Sequence, residues 1–309
     1  MADAIDDATR RRMIGRFGPR ANDWCDDLPV LLDRLARRWR IWIGRTASPG
    51  ANSCVWFCET HGGESAVLKL SPDPALGASE AEALAAWRSY GRVPRVLNLD
   101  RDSGALLLEA IRPGTTLADS RPAAHLGAVS ELVGDLHASA GAGAMSGFPP
   151  LVERVEFIFA LYEERLREPA VASAVPVDLL EGSAAAARRL AVESGQRVLL
   201  HGDLHAKNVL NGGVRGLVAI DPRAYVGDPA FDLIDWVLVD GGDARTARPR
   251  AEWLAERVRV DPAKLWRWCE STAVLVAIGQ LVRREGNTGS TRSLLDLAQN
   301  AAYGRSSKD

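Results

Sequence analysis

A chain of 309 residues, 47% hydrophobic and 25% charged, has the composition of an ordinary globular protein and the length for two domains sharing one cleft. Its formal net charge of −2 gives no overall positive field to hold a polyanion. That argues against nucleic acid as a partner, and the basic clusters ARRWR and TARPR read as solvated helix faces.

No stretch reaches the roughly 18 consecutive apolar residues of a membrane span, and the start MADAIDDATRRR has no apolar secretion core, so the expected location is the cytoplasm. The four cysteines, Cys25, Cys54, Cys58 and Cys269, include no CxxC pair and read as reduced, packed thiols, with Cys54 and Cys58 on one strand face.

In chain order, residues 1–22 read as a flexible N-terminus. From Asp23 to Trp39 apolar residues recur at helical spacing (Leu28, Leu31, Leu32, Leu35, Trp39), predicting a helix. SCVWFCET, the turn HGGE and SAVLKL then predict two strands and a tight hairpin. Ser79 is the expected N-cap of a helix over EAEALAAW. RVLNLD, the turn RDSG and ALLLEA predict a second hairpin, closed by Pro113 and Gly114.

Beyond Leu117 most segments predict helices, among them one carrying Val152, Val155, Phe159, Tyr162 and Leu166. The exceptions are three short apolar strands, in RVLL, NVLN and GLVAID, around the octapeptide HGDLHAKN. Helices are expected again at FDLIDWVL, AEWLAERV and KLWRWCESTAVLVAIGQLVRR. GAGAMSGFPP reads as a loop and GRSSKD as a frayed tail.

The octapeptide carries the chemistry. Phosphoryl transfer from ATP needs a group that deprotonates the attacking hydroxyl, ligands for magnesium, a cation on the phosphates, and a carboxylate that places that cation. Asp203 and Asn208 have the D-x-x-x-x-N spacing of a base and a metal-binding amide on one loop. Asp221, after the GLVAI strand, stands where a second magnesium ligand belongs, and the hairpin return is expected to bring it beside Asn208. Upstream, Lys69 in SAVLKL and Glu80, eleven residues later, have the order of a kinase lysine and its partner, with Glu82 the weaker alternative.

ALLLEAI ends a strand at Glu109, where the backbone of Glu109 and Ile111 is expected to meet the adenine edge. The loop ASPGANSCVW between the first two strands is expected to cover the ATP phosphates with backbone amides, at Gly50, Asn52 and Ser53, although it lacks GxGxxG. A zinc site on His201, Asp203 and His205 is the competing reading of the octapeptide. Its HxDxH spacing lacks the helical HExxH geometry, and His61, His125 and His137 are dispersed.

HGDLHAKNVL, AIDPRAYVGDPAFDLIDW, VLKL and LLLE together resemble the aminoglycoside/hydroxyurea antibiotic-resistance kinases within the aminoglycoside phosphotransferase-like group. The resemblance runs from about Trp39 to Leu281. It implies an α+β, bilobal protein-kinase-like fold, with a small antiparallel-sheet N-lobe (23–112) holding one inserted helix, a larger mainly helical C-lobe (113–304), and a tail (305–309). It implies ATP as donor, Mg²⁺ as cofactor and a small-molecule hydroxyl as acceptor. Asp203 matches the family's catalytic aspartate, Asn208 and Asp221 its metal ligands, Lys69 its phosphate lysine and Glu80 the partner of that lysine. The phosphate loop is the poorest match, and DP stands where protein kinases have DFG.

Asp228, Asp232 and Asp235 face only Arg223 between Asp221 and Trp236, and ERVEFIFALYEERLRE adds five glutamates against three arginines. Such a wall would attract a cationic aminoglycoside, with Asp228 and Asp232 the expected contacts. The leading expectation is a streptomycin-like antibiotic kinase. Hydroxyurea or another small hydroxyl metabolite is a second acceptor class, and an inactive nucleotide-binding interaction module is the reading outside enzymes.

Overall fold

Burial alternates strictly along SAVLKL and sets the face of the first sheet. In the computed structural model, which describes residues 5–47, 52–139, 145–239, 243–283 and 289–304, Ala66, Leu68 and Leu70 are buried while Val67 and Lys69 take the opposite side. That follows from the two-residue repeat of a strand. The sheet has five antiparallel strands, β1 (Ile41–Thr46), β2 (Cys54–Thr60), β3 (Ser65–Leu70), β4 (Val96–Asp100) and β5 (Ala105–Glu109), in the order β1-β2-β3-β5-β4. Trp56 lies opposite Leu68 and Leu68 opposite Leu107, so large apolar side chains line up across the sheet.

The N-terminal residues are more ordered than their composition suggests. Helix α1 (Asp7–Phe17) is capped by Asp6, whose carboxylate accepts from the Thr9 N–H at 2.7 Å, and helix α2 (Arg20–Trp39) begins ahead of the expected start at Asp23. Met13 of α1 and Leu28 and Leu35 of α2 are fully buried in one core with Trp56 and Leu68. The apolar residues of α1 are sparse among arginines, so its period is faint. Burial against the sheet supplies what propensity does not. Residues 1–4, Gly50, part of the 141–150 loop and the tail from 305 lie outside the described residues.

Helix α3 (Pro74–Trp87) also starts earlier than Ser79. Asp73 is the N-cap, accepting from the Ala75 N–H at 3.0 Å, and Pro74 opens the first turn, a stronger start signal than a mid-helix serine. Close packing seats this helix on the β4–β5 turn. A Cβ at Gly77 would lie 2.0 Å from the Gly104 carbonyl oxygen, and one at Gly104, at φ +65°, would lie 2.4 Å from the Pro74 Cα. Only glycine fits at both positions.

The chain divides into two compact units, Met1–Gly114 with Asn211–Ile220, and Thr115–Leu210 with Asp221–Asp309. The second unit is mostly helical: α4 (Leu126–Ser139), α5 (Leu151–Arg165), α6 (Pro169–Ala172), α7 (Val177–Val192), α8 (Ile234–Val237), α9 (Ala244–Val258), α10 (Pro262–Arg283) and α11 (Gly289–Tyr303). Helix α10 buries residues around its whole circumference, including Trp268, Cys269, Val274 and Ile278, as a helix at the centre of a core must.

The remaining strands are β6 (Val198–Leu200), β7 (Val209–Asn211), β8 (Leu217–Ala219) and β9 (Tyr225–Gly227), with β6 and β9 antiparallel and Leu199 opposite Val226. FDLIDWVL, expected as one helix, is divided. Pro229–Leu233 forms a 3-10 turn capped by Asp228, and only Ile234–Val237 is α-helical. Among the described residues no helix is long and apolar enough to cross a membrane.

All four cysteines are free and buried. Burial pushes the Cys54 thiol up to about 12 and the Cys58 thiol up to about 11, so neither is a reactive thiolate at neutral pH.

Candidate active site

In the first unit the alternation of β3 turns Lys69 away from the buried Leu68 and Leu70. Its ammonium meets the Glu80 carboxylate of α3 at 2.5 Å, with the two side chains 14% and 4% exposed. The seating of α3 through Gly77 and Gly104 fixes where Glu80 emerges. Glu82 turns elsewhere, to Arg101 at 3.4 Å.

Glu109 ends β5. Its N–H donates to the Arg95 carbonyl at 3.0 Å, and its carboxylate accepts from Arg95 at 2.7 Å and Arg215 at 2.6 Å. Burial alone would raise the Glu109 carboxyl, but these two guanidinium groups hold it below the usual carboxylate range. The N–H and carboxylate of Glu109 are thus engaged inside the unit. Ile111 follows half-buried just beyond the strand. Ser53 is buried immediately before β2, and Arg16 of α1 donates to the Asn52 side-chain oxygen at 2.9 Å.

In the second unit HGDLHAKN leaves β6 and turns at once. Gly202 makes the turn at φ +75°, where a Cβ would lie 1.9 Å from the Arg223 carbonyl oxygen. The returning segment is fastened there: the Arg223 N–H donates to the His201 carbonyl at 2.8 Å.

The loop also closes on itself. The Asn208 amide donates to the Asp203 carbonyl at 2.9 Å and lies 3.4 Å from the Asp203 carboxylate. That amide bond fixes Asn208 through its NH₂, leaving its carbonyl as the oxygen to offer a metal. Asp203 keeps 34% of its side chain exposed, and His205 approaches its carboxylate at 3.9 Å.

Asp221 adopts φ +58°. Among the described residues the other non-glycine positions with positive φ, Arg40 and Arg259, are helix C-caps, where that conformation is routine. Asp221 has no such excuse, and backbone strain of this kind gathers at functional positions. Its carboxylate is 3.5 Å from Arg223 and 29% exposed.

The expected acceptor contacts, Asp228 and Asp232, are internal braces. Asp228 caps the 3-10 turn through the Ala230 N–H at 2.9 Å and pairs with Lys264 at 2.6 Å. The Asp232 carboxylate accepts from the His201 and Gly202 N–H groups, each at 2.8 Å, and meets His137 at 3.0 Å. Burial would push Asp232 up, yet these partners hold it below the usual range. Charge counting along the sequence could not separate a brace from a contact.

Asp235, one turn farther on, is exposed. Enough protein still surrounds it that desolvation raises its carboxyl. His205 and Arg154 pull it down, while the Asp203 and Asp232 charges add to the rise.

Two residues had no sequence signal. Arg154 of α5 donates through Nε to the Gly202 carbonyl and through Nη2 to the Asp203 carboxylate, both at 3.0 Å. His137 of α4 completes the Asp232 brace.

Among the described residues no three or more His, Cys, Asp or Glu side chains gather as a metal cage. His201, one of the three ligands of the zinc reading, is fully buried. Magnesium needs no such cage, since one or two carboxylates with phosphate and water oxygens suffice. The oxygen donors of Asn208 and Asp221 fit that demand.

Residues 38–284 match the family described as aminoglycoside/hydroxyurea antibiotic resistance kinase. The chain belongs to this family. It is therefore a kinase that acts on hydroxyl groups. The chain is 29% identical to a streptomycin 6-kinase of Streptomyces glaucescens, over 92% of each chain. It is 32% identical to a second streptomycin 6-kinase, of Streptomyces griseus, over 81% of this chain and 82% of that one. It is also 32% identical to a hydroxyurea phosphotransferase of Kitasatospora aureofaciens, over 82% and 73%.

The fold recurs in solved structures. The choline kinase LicA of Streptococcus pneumoniae matches with a TM-score of 0.61 at 14% identity, over 90% of this chain and 99% of that one. The aminoglycoside phosphotransferase APH(4)-Ia, in ternary complex with AMP-PNP and hygromycin B, matches at 0.59 and 17%, with the same coverage. The α+β protein-kinase-like fold expected from the sequence is the fold of this kinase.

Proposed function

We propose that this family member transfers the terminal phosphoryl group of ATP to a hydroxyl of a streptomycin-like aminoglycoside, inactivating it. The observation that carries the reading is the second unit's loop. There a part-exposed Asp203 is held by Asn208, and the segment that carries the strained Asp221 is fastened to the loop through the Arg223 N–H and the His201 carbonyl. Two relatives that phosphorylate streptomycin by name, each matched along most of its length, support the acceptor. The hydroxyurea phosphotransferase, matched at the same identity, keeps a small neutral acceptor as the second reading.

In the reaction Asp203 orients the acceptor hydroxyl and takes its proton as the new O–P bond forms. The bond from the γ-phosphorus to the β,γ-bridging oxygen breaks, and ADP leaves with that oxygen. Asn208 and Asp221 would hold Mg²⁺ through their side-chain oxygens. When bound, the ion neutralises charge on the transferring phosphoryl group. Lys69, placed by Glu80, grips the nucleotide phosphates, and the backbone at Glu109 and Ile111 borders the adenine. Ser53 belongs to the phosphate-covering loop. Four buried, free thiols accord with a cytoplasmic setting, and a cationic acceptor accords with the exposed Asp235.

The test is ADP release with streptomycin, other aminoglycosides and hydroxyurea as acceptors. Asp203→Asn should lower kcat by about 10²–10⁴-fold, the usual worth of a positioned base, while ATP affinity holds. Near-normal turnover by that variant with a confirmed acceptor would refute the assignment.

A further inference from the structure

We propose that Arg154 is a positioning residue for phosphoryl transfer, one that aims the carboxylate of Asp203 at the acceptor hydroxyl. The inference rests on the reading of Asp203 as the base. Its geometry is independent of any motif.

The guanidinium of Arg154 spans two oxygens of the catalytic loop. Nε donates to the Gly202 carbonyl and Nη2 to Asp203 Oδ1, each at 3.0 Å. The first bond fixes the guanidinium plane against the backbone turn, and the second then fixes the torsion of the carboxylate. With Oδ1 held by Arg154 and the Asn208 amide 3.4 Å from Oδ2, the carboxylate keeps one orientation while 34% of the side chain stays open. Arg154 itself is only 12% exposed. Its planar fork can bridge a carbonyl and a carboxylate together, which the single ammonium of a lysine cannot do.

The base of the side chain is anchored as firmly as its tip. Arg154 lies in the first turn of α5, and the residues just ahead of it are fastened to β9: the Val226 N–H donates to the Pro149 carbonyl at 2.8 Å, and Pro150 bridges Val226. Leu151 packs so closely on Gly227 that a Cβ there would lie 2.4 Å from its side chain. Strand β9 in turn pairs with β6, where Leu200 lies opposite Tyr225 immediately before His201. Helix, ladder and loop therefore form one closed circuit that ends on Asp203. Stability alone is a poor account of this pairing, because a partly exposed ion pair adds little to folding. A carboxylate that must accept a proton along one line has more to lose from a swinging torsion.

The experiment measures kcat and KM for ATP and acceptor in the full-length enzyme, with Arg154→Ala, Arg154→Lys and Asp203→Asn side by side and thermal unfolding of each. Arg154→Ala should lower kcat by about 10²-fold, the cost of misplacing a reacting group by about 1 Å. Its KM for ATP and its unfolding midpoint should stay close to the unsubstituted values. Added guanidinium or methylguanidinium ion at low millimolar concentration should restore part of the lost kcat. Arg154→Lys should fall between, since it keeps the charge and loses the fork.

Unchanged kcat in Arg154→Ala, with Asp203→Asn inactive, overturns the inference and leaves the base assignment standing. A loss of kcat that follows the unfolding midpoint and does not respond to guanidinium overturns it as well, by making the role structural. Turnover retained in Asp203→Asn removes both.

Discussion

Lys69 and Asp203 reach their positions by opposite means. Lys69 stands on a strand, where the two-residue repeat decides its direction and the ion pair with Glu80 steadies the ammonium. Asp203 stands on a loop with no repeat to direct it. Arg154 and Asn208 hold Asp203 itself, and Asp232 and Arg223 hold the two residues before it, the four being drawn from a helix, the loop itself, a 3-10 turn and the returning chain. Regular structure positions a side chain through periodicity. A loop needs a bond for each degree of freedom, so damage to a brace spreads more widely than damage to the ion pair.

The largest expected effect breaks the brace. Asp232→Ala strands the His201 and Gly202 N–H groups and His137 together, in a buried place where water cannot replace the lost acceptor. Loss of a partner in such a network costs about 3–5 kcal/mol, and activity should fall with it because the turn into Asp203 is released. Equilibrium unfolding by urea measures the first and ADP release the second.

The pH dependence carries the same signature. The folded state holds the Asp232 carboxyl below its ordinary value, so its stabilisation is complete above about pH 4, the usual Asp range. It fades as pH drops through the lowered value. The gap between the unsubstituted enzyme and Asp232→Ala should therefore narrow in acid. A constant gap from pH 7 to pH 3 would mean that the network is not ionic.

Glu80→Gln should do less, and do it locally. The amide can still hydrogen-bond Lys69, but the mostly buried ammonium loses its carboxylate. The expected cost is about 1–3 kcal/mol, below that of a fully buried pair because part of Lys69 reaches water. ATP affinity should weaken about tenfold, equivalent to ~1.4 kcal/mol, with the acceptor KM unmoved. Isothermal titration with a nonhydrolysable nucleotide separates this from a general loss of folding. An equal change in acceptor KM would contradict a local role.

The same contrast decides what the sequence discloses. The hairpin strands, the helix carrying Glu80 and the Asp203–Asn208 spacing are all local patterns, and each is visible along the chain. The braces are not, because each joins residues far apart in sequence: Arg154 to Asp203 across 49 positions, His137 to Asp232 across 95. Strand β9 escaped for a related reason, since three residues carry no alternation and only pairing with β6 makes them a strand. Helix α1 was hidden by its arginines, and α3 begins at Asp73 and Pro74 because a cap and a proline outrank the serine within. Asp232 shows most clearly what such local patterns leave open. An acidic run offers several carboxylates of equal appearance, and only burial tells which of them turn inward.

Asp235 belongs to neither class, being placed by one helical turn beyond the braced Asp232 yet left exposed. Its carboxyl is raised by desolvation and by the charges of Asp203 and Asp232, against the pull of His205 and Arg154. For an acid, a raised folded value means that ionisation opposes folding. Stability is lost as pH rises from the ordinary Asp value through the raised one, and stays lost above it. Asp235→Asn removes that cost, so it should be neutral in acid and slightly stabilising at pH 7, by less than about 1 kcal/mol after allowance for solvent screening. The same substitution should weaken a cationic acceptor, since it deletes an exposed negative charge beside Asp203. Folding and acceptor binding would then move in opposite directions: a higher unfolding midpoint together with a raised KM for streptomycin and an unchanged KM for hydroxyurea. If both acceptors respond alike, Asp235 is not a charge partner of the acceptor. If the midpoint falls, the carboxylate is satisfied in a way that its surroundings do not reveal, and the contrast between braced and unbraced carboxylates loses its clearest member.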